Sequence, residues 1–199
     1  MRHAARRAGW QPGVFDLFEQ DFPKQLAHWG EHLLNARSRV CRFGEVRLDG
    51  ATFLRPVQDT KSFAGRVFSP AEFEPWQRAV CARGDDGGST LRADTLVQLS
   101  PPQLIHAEYR CWVVQGRVVT HSLYKRRAQV FSSPEVARHI DAFAEARTRE
   151  WAPHEAFVMD VCETPDGLRI VEVNTLNSAG FYAADVQRLV MALDDAFSR

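Results

Sequence analysis

A turn signal between two apolar segments constrains the fold of this chain more than any other feature. Residues 157–174 have the sequence FVMDVCETPDGLRIVEVN, in which Pro-Asp-Gly (residues 165–167) separates two runs rich in valine and isoleucine. This pattern predicts a β-hairpin with a three-residue loop, closed by the glycine in the left-handed conformation. In that hairpin Thr164 pairs with Leu168, and the pairings further from the turn follow by counting outward.

Two acids and an amide fall on one face of this predicted hairpin. The count places Asp160 directly opposite Glu172, and Asn174 shares their face because side chains alternate along a strand. Facing carboxylates repel each other, so a positive charge is expected between them. Two carboxylates and an amide oxygen form the oxygen-only ligand set that Mg²⁺ prefers. From the residues alone, a magnesium site and a solvated outer face both remain open.

Further strand and helix patterns are interspersed along the chain, which indicates an α+β fold. Two strands joined by a loop are predicted within residues 51–68, and a short strand is predicted at 95–100. A second hairpin is predicted at 104–124, with its turn at Gln115 and Gly116. Hairpins of this kind imply antiparallel sheets.

Apolar spacing and start signals predict the helices. The first helix is predicted within residues 21–36, and two more are predicted to begin at the Ser-Pro pairs that start with Ser69 and Ser133. The last helix closes the chain. Its predicted inward stripe consists of Val186, Leu189, Val190, Leu193 and Phe197.

The charge balance and the cysteine spacing argue against several classes of protein. The chain of 199 residues has 25 basic and 25 acidic side chains, which argues against a protein that binds nucleic acid through bulk charge. No apolar run approaches the roughly 20 residues that cross a bilayer, so no membrane partner is expected. The four cysteines are widely spaced without a C-x-x-C pair, which predicts free thiols in a reducing cytoplasm. They are Cys41, Cys81, Cys111 and Cys162.

The order of the polar motifs resembles that of the ATP-grasp enzymes. Asp160 on one strand, with Glu-x-Asn on the next, is similar to the metal-binding hairpin of that superfamily. The motifs upstream of this hairpin occur in the order found in that superfamily. They are an Arg-Pro pair at Arg55, a loop lysine at Lys61, the strand TLVQLS, and the motifs EYR and SLY. Together with EVN…GFY, they resemble the divergent Arg-to-Lys clade of ATP-grasp proteins over about residues 15–195.

The resemblance implies a fold of two α+β lobes with a nucleotide between them. Residues 49–100 would form the first lobe and its connector, and residues 101–199 the second lobe. Residues 1–48 would be a helical remnant of the Rossmann-like domain that precedes the first lobe in most ATP-grasp proteins. About fifty residues are too few for that domain, so it is expected to be truncated or absent, unless the native chain begins upstream of Met1.

The resemblance also implies ATP and Mg²⁺ as cofactors. Lys61 and Arg110 are the expected catalytic cations, and Arg55 with Lys61 would donate to the α- and β-phosphates. Read without the resemblance, Arg55 is equally a strand-end residue, Lys61 a solvated loop lysine, and Arg110 a partner that neutralises Glu108. The expected ligands of the metal are Asp160, Glu172 and Asn174.

Two more groups of site residues follow from the resemblance. The adenine connector, whose main-chain groups would bind the edge of the base, comprises Gln98, Leu99 and Ser100. The polar side chains expected near the substrate are Ser122, Tyr124, Asn177, Ser178 and Tyr182. Turn capping explains this second group equally well.

ATP-dependent ligation is the chemistry that the resemblance implies. A carboxylate attacks the γ-phosphate, an acylphosphate forms, and an amine or a thiol displaces phosphate. The expected partners are ATP and a carboxylate-bearing substrate, with a peptide or protein as one candidate by analogy to the clade; nucleic acid and membranes are not expected. Two alternatives are a non-catalytic ATP-binding assembly factor or chaperone, and a metal-dependent hydrolase that uses the same acids without nucleotide.

Overall fold

The computed structural model of the protein describes residues 22–57, 63–82, 90–127 and 129–198. They form two compact units: the large unit contains Lys24–Leu34 and Leu104–Arg199, and the small unit contains Asn35–Gln103. Each unit holds its own antiparallel sheet, which confirms the predicted α+β class. The functional division at residues 48 and 100 that the resemblance implies stays a prediction.

The described residues contain nine β-strands and four α-helices. The strands of the small unit are β1 (Arg39–Arg42), β2 (Thr52–Pro56), β3 (Arg66–Phe68) and β4 (Leu96–Ser100). The strands of the large unit are β5 (Ala107–Val114), β6 (Arg117–Arg126), β7 (Gln129–Ser133), β8 (Ala156–Thr164) and β9 (Gly167–Asn174). The helices are α1 (Phe22–Trp29), α2 (Pro70–Ala82), α3 (Arg138–Glu150) and α4 (Val186–Phe197).

The small unit is built on a four-stranded antiparallel sheet in the order β1-β4-β2-β3. The predicted strands β2, β3 and β4 are confirmed, whereas β1 was not predicted because its four residues are mostly exposed and lack an apolar alternation. One face of the sheet packs on α2 and forms the core of the unit. The buried residues of that core are Phe43, Val46, Leu54, Phe68, Phe73, Leu91, Val97 and Leu99.

The predicted start of α2 is confirmed by its capping contacts. The Ser69 backbone N–H donates to Glu72 Oε2 at 2.9 Å, and Ser69 Oγ accepts from the Glu72 backbone N–H at 3.4 Å. This reciprocal pair satisfies N–H groups that the first turn of a helix leaves unbonded. Pro75 lies inside the helix without ending it.

The large unit contains a five-stranded antiparallel sheet in the order β7-β6-β5-β8-β9. Both predicted hairpins are confirmed as β5–β6 and β8–β9. The predicted turn at Gln115 and Gly116 is also confirmed, with φ angles of 47° and 80°. Two successive positive φ angles are typical of the two-residue turns whose twist matches that of a hairpin.

In the β8–β9 hairpin Asp160 pairs with Glu172 as predicted, but the loop and the register near the turn differ from the prediction. Thr164 pairs with Gly167 and not with Leu168, so the predicted three-residue loop is wrong and the loop has one residue fewer. A register shift beside Asp160 then inserts one extra residue into β9, as a β-bulge does. The two deviations cancel, and the acids face each other as expected.

Two helices cover opposite faces of the five-stranded sheet. α3 lies on the face that carries His121, whose Nδ1 is 2.8 Å from Asp141 Oδ1. α4 packs on the other face, where Leu189 joins a buried cluster that includes Trp112. Arg110 shares the face of Trp112 because the two residues are two positions apart on β5.

Two helix predictions differ from the structure. The helix predicted to begin at Ser133 begins at Arg138, because Ser133 ends β7 and pairs with Leu123. In α4 the predicted inward stripe is confirmed for Leu189, Leu193 and Phe197, but Val186 and Val190 are 41% and 57% exposed. Small alanines on the inner side of α4 pack in place of these two valines.

The first helix and the free cysteines agree with the sequence predictions. The helix predicted within residues 21–36 is observed as α1, followed by a short 3-10 helix at Gly30–His32. All four cysteines are free thiols, and Cys111 and Cys162 are buried. Among the described residues, none of the helices has the length and apolar character needed to span a bilayer.

Candidate active site

The centre of the candidate site is a buried ion pair between β5 and β8 of the large unit. Arg110 and Asp160 are cross-strand neighbours, and Arg110 donates from Nε to Oδ1 at 2.8 Å and from Nη2 to Oδ2 at 2.7 Å. Bidentate pairing of this kind is strong and fixes both side chains. Asp160 is only 1% exposed. Arg110 neutralises Asp160 from the β5 side, whereas Glu172 faces Asp160 from β9, so Arg110 does not lie between the two acids as expected. Its bidentate partner is Asp160 and not Glu108.

The electrostatics of this pair reflect its burial. Burial raises the pKa of Asp160 to about 6, although the hydrogen bonds and charge of Arg110 oppose the rise, while Glu172 and Glu108 add to it. Burial lowers the pKa of Arg110, but the hydrogen bonds and charge of Asp160 outweigh it and raise that pKa overall. The guanidinium therefore stays charged.

Aromatic rings and a carbonyl hold Arg110 in place. Its guanidinium carbon lies 5.0 Å from the ring centroid of Tyr124 and 5.4 Å from that of Tyr182, and the two rings stack at 5.1 Å. Arg110 Nη1 also donates to the Gly180 carbonyl at 3.4 Å. Tyr182 has a φ of 52°, which is uncommon for a bulky residue and often marks a functional position.

A second buried acid joins the same cluster. Glu108 is 6% exposed and accepts the Tyr124 hydroxyl at Oε2 at 2.7 Å. Its Oε1 lies 2.7 Å from Lys125 Nζ. The Tyr124 hydroxyl is also 3.4 Å from Asp160 Oδ2, so it links the two acids. Burial and these two acids raise the pKa of Tyr124 far above its usual value, so its hydroxyl keeps its proton.

The residues predicted to bind Mg²⁺ lie together on the β8–β9 hairpin. Asp160 faces Glu172, and Asn174 donates from Nδ2 to Glu172 Oε1 at 3.0 Å. This set fits a hard cation in donor type, since each residue brings a carboxylate or amide oxygen, and both oxygens of Asp160 also accept from Arg110. The described residues contain no cluster of three His, Cys, Asp or Glu side chains suited to a metal, so the set depends on Asn174 as its third ligand.

Three of the residues predicted near the substrate have structural partners. Ser122 Oγ accepts from the Ala183 backbone N–H at 3.2 Å. Asn177 Oδ1 accepts from Thr175 Oγ1 at 2.7 Å, and Ser178 Oγ donates to the Thr175 carbonyl at 3.0 Å. The contacts of Asn177 and Ser178 agree with the turn-capping alternative, whereas that of Ser122 joins β6 to a distant part of the chain. Tyr124 and Tyr182, in contrast, lie directly against Arg110.

The predicted nucleotide-binding residues belong to the small unit. Arg55 on β2 pairs with Gln98 on β4, which is an inner strand. Gln98 and Leu99 pair with both β1 and β2, so their main chain is engaged in the sheet, whereas Ser100 pairs with β2. The side chains of Gln98 and Ser100 donate to Ser38 Oγ and Asn35 Oδ1 at 2.8 and 2.9 Å. The predicted Lys61 lies outside the described residues.

The sequence of this chain matches a known protein family. Residues 1–193 match the family model described as the ATP-grasp domain of R2K clade family 3. The chain belongs to this family. The ATP-grasp fold and the Arg-to-Lys clade predicted from the motifs are thereby confirmed.

Solved ATP-grasp structures share this fold at low sequence identity. The ATP-grasp ligase PsnB in complex with a minimal precursor is 17% identical at a TM-score of 0.57, with 96% of this chain and 65% of that chain covered. The D-alanine–D-alanine ligase from Bacillus anthracis is 12% identical at a TM-score of 0.59, with 87% and 64% covered. The D-cycloserine synthetase DcsG is 16% identical at a TM-score of 0.58, with 87% and 67% covered.

These likenesses have a limited scope. The chain spans about 65% of the length of PsnB, and identities this low show the fold alone. No curated protein has a significantly similar sequence.

Sequence reasoning missed two members of this buried cluster. Glu108 was considered only as a partner of Arg110, and Lys125 was not considered at all. Tyr124 and Lys125 both contact Glu108 because of an irregular pairing between β5 and β6. The motif SLYK holds the only sequence signal, a lysine directly after a candidate site tyrosine.

Proposed function

We propose that this ATP-grasp protein binds Mg·ATP at the Arg110–Asp160 cluster and uses it to ligate a carboxylate-bearing substrate. The observation that supports this most is the buried pair with Glu172 directly across the hairpin. A buried ion pair is weak evidence for stability alone, because desolvation of both ions offsets most of their attraction. Burying these charged groups costs desolvation free energy, and the fold is shared with ATP-grasp ligases. Both facts favour a functional site over a purely structural one.

Asp160, Glu172 and Asn174 are the residues that we propose to hold Mg²⁺. Their oxygens match the preference of a hard cation, and the hairpin places them side by side. When bound, Mg²⁺ supplies positive charge that neutralises phosphate oxygens during phosphoryl transfer.

Arg110 is the residue that we propose to stabilise negative charge on the transferred phosphate. Asp160 and the Gly180 carbonyl hold it from two sides, and Tyr124 and Tyr182 flank it. A cation held in place before the reaction needs little rearrangement when charge develops, which is the basis of electrostatic preorganisation.

The small unit carries the other residues that we propose for nucleotide binding. Arg55 and Lys61 would donate to the phosphates, a guanidinium in bidentate fashion and an ammonium as a point charge. The adenine connector would be Gln98, Leu99 and Ser100. Because the main chain of Gln98 and Leu99 is paired on both sides, we place the base-binding main-chain groups at Ser100, where pairing with β1 has ended.

The proposed substrate is a carboxylate on a peptide or protein. PsnB has been solved with a minimal precursor and with the precursor peptide PsnA2, which supports a peptide by analogy of fold. The carboxylate oxygen would attack the γ-phosphorus, ADP would leave, and an acylphosphate would form. An amine or a thiol would then attack the acyl carbon, and inorganic phosphate would leave. The free cysteines support the proposed cytoplasmic location.

A second candidate function is a non-catalytic ATP-binding assembly factor. It is favoured by one observation: the Nε and Nη2 donors of Arg110 are bound to Asp160 and its Nη1 donor points to Gly180, so three N–H groups are engaged within the protein. A protein that keeps this arrangement after binding ATP would hold the nucleotide with little turnover.

Release of ADP separates the two candidates. The protein is incubated with Mg·ATP, with and without a peptide extract of cells, and ADP is measured over time. A ligase releases ADP in an extract-dependent manner, and Glu172→Gln, which is expected to keep the fold, abolishes that release. Binding of Mg·ATP without extract-dependent ADP release supports the assembly factor. Absence of ATP binding contradicts both.

A further inference from the structure

Lys125 enters the candidate site through an irregularity in the β5–β6 pairing. Glu108 pairs with Lys125 and Tyr109 pairs with Leu123, so Tyr124 is an extra residue on β6. In regular pairing Tyr124 and Lys125 would point to opposite faces of the sheet. A bulge opposes two residues to one, and here both side chains reach the carboxylate of Glu108.

The bulge gives Glu108 two partners from adjacent positions. Its Oε2 accepts from the Tyr124 hydroxyl at 2.7 Å and its Oε1 is 2.7 Å from Lys125 Nζ. A buried carboxylate without a counter-charge is strongly unfavourable. Neutralising Glu108 is therefore one function of Lys125, and any further function has to be tested in a protein where that need is removed.

Lys125 and Arg110 differ in how open they are to a ligand. The side chain of Arg110 is 10% exposed, and three of its N–H groups point to Asp160 and Gly180. The side chain of Lys125 is 38% exposed, and its ammonium contacts Glu108 through one of three donors. A lysine ammonium on a flexible stem also redirects its donors at low cost. Of these two cations, Lys125 is the one that an arriving anion can reach without breaking a buried pair.

We propose that Lys125 contacts the terminal phosphate of the nucleotide, while Glu108 holds the ammonium in position before the nucleotide binds. This inference rests on the proposed function and adds a residue to it. The Tyr124 hydroxyl joins Glu108 to Asp160, so Lys125 belongs to the same hydrogen-bonded cluster as the proposed metal ligands.

The test compares two variants that differ only at Lys125. Glu108→Gln removes the need for a counter-charge but keeps Lys125 and an amide oxygen that accepts from its ammonium. The double variant Glu108→Gln/Lys125→Met removes the lysine in the same background. Affinities are measured by calorimetry, with Mg²⁺, for ADP and for the analogue with a β,γ-imido bridge, AMPPNP. Arg117→Met, an exposed cation at the other end of β6, is the matched control.

We expect AMPPNP affinity to fall roughly tenfold to a hundredfold between the two variants, the range for a hydrogen bond to a charged group. ADP affinity should change less than twofold, because ADP lacks the terminal phosphate, and Arg117→Met should leave both affinities unchanged. Equal affinities in both variants would show that Lys125 only neutralises Glu108 and would overturn the proposal, as would an equal loss for ADP and AMPPNP. A wild-type protein that binds neither nucleotide would contradict the proposed function itself.

Discussion

Arg110 and Asp160 depend on each other more than any other pair of described residues in the site. Arg110→Met would leave the Asp160 carboxylate buried without its bidentate partner. Removing one member of a buried pair typically costs about 3–5 kcal/mol, because an uncompensated charge stays behind. We therefore expect a large loss in the free energy of unfolding, measured by urea denaturation.

A matched control for that experiment is Arg117→Met, which removes an exposed arginine from a neighbouring strand. It should change stability by no more than about 0.5 kcal/mol. A loss below about 1 kcal/mol for Arg110→Met would mean that the protein accommodates Asp160 without its partner, as the protonated acid, and that the pair contributes little to stability.

Glu172 is the residue at which stability and ligand binding are expected to change in opposite directions. Glu172→Gln removes one of two carboxylates that face each other across β8 and β9. The metal-free variant should be as stable as the parent, or more stable by a few tenths of a kcal/mol on the scale of cross-strand pairs. It should also lose most of its Mg²⁺-dependent ATP affinity, because a neutral amide is a poorer ligand for a hard cation. Calorimetric titration with and without Mg²⁺ measures this. A variant that is less stable yet binds Mg·ATP normally would remove the hairpin from the site.

At the residue scale, the sequence was sufficient to place the acids but not their partners. Asp160, Glu172 and Asn174 alternate with apolar residues along their strands. This alternation determines which side chains share a face of the hairpin, whatever the rest of the fold. The partner of Arg110 depends on which strand lies beside β5, and β8 is about fifty residues away along the chain. Lys125 lies beside Glu108 because of a β-bulge. A bulge depends on how two strands pair, so the sequence of one strand does not predict it.

At the scale of elements, a helix begins at only one of the two Ser-Pro pairs that were predicted to start helices. Ser69 caps α2 through Glu72, whereas Ser133 ends β7 and α3 begins later, at Arg138. Both pairs read Ser-Pro, but only Ser69 is followed three residues later by a glutamate, and Ser133 is paired with Leu123 in the sheet. Tertiary pairing therefore overrides the helix-start propensity at the second site.

This difference predicts the outcome of two equivalent substitutions. Ser69→Ala should lower the free energy of unfolding by about 0.5–2 kcal/mol, the usual cost of losing an N-cap side chain. Ser133→Ala should cost less than about 0.5 kcal/mol, since its hydroxyl accepts from Glu135 in an exposed turn outside the helix. Thermal or urea unfolding of the two variants checks this, and equal costs would show that Ser133 also acts as a helix cap.

The hairpin of β8 and β9 makes a different point about elements. The predicted loop was one residue too long and the bulge was not predicted, yet the pairing of Asp160 with Glu172 was right. The alternation of polar and apolar residues fixes which side chains share a face, and a register error of one residue would bury the acids in the wrong layer. The face pattern is thus a stronger constraint on register than the turn sequence.

At the scale of the whole molecule, the ATP-grasp family followed from the order of the motifs. Each motif was weak alone, but the order matched one superfamily, and the family model confirms it over residues 1–193. The boundaries of the large and the small unit depend on spatial contacts that no local pattern encodes. The substrate has no signature of its own in the sequence, since ligand specificity resides in the shape of a site.

The central claim is that the Arg110–Asp160–Glu172 cluster binds Mg·ATP, and a thermal melt tests it most directly. A ligand at a hundredfold excess over its Kd stabilises the native state by roughly 2.7 kcal/mol, which corresponds to a rise in Tm of about 5–10 °C for a chain of this size. We predict that rise for the wild-type protein with millimolar Mg·ATP, a smaller one with Mg·GTP, and almost none for Glu172→Gln. A wild-type Tm that does not change with Mg·ATP would contradict the account, and so would an equal rise in wild type and Glu172→Gln.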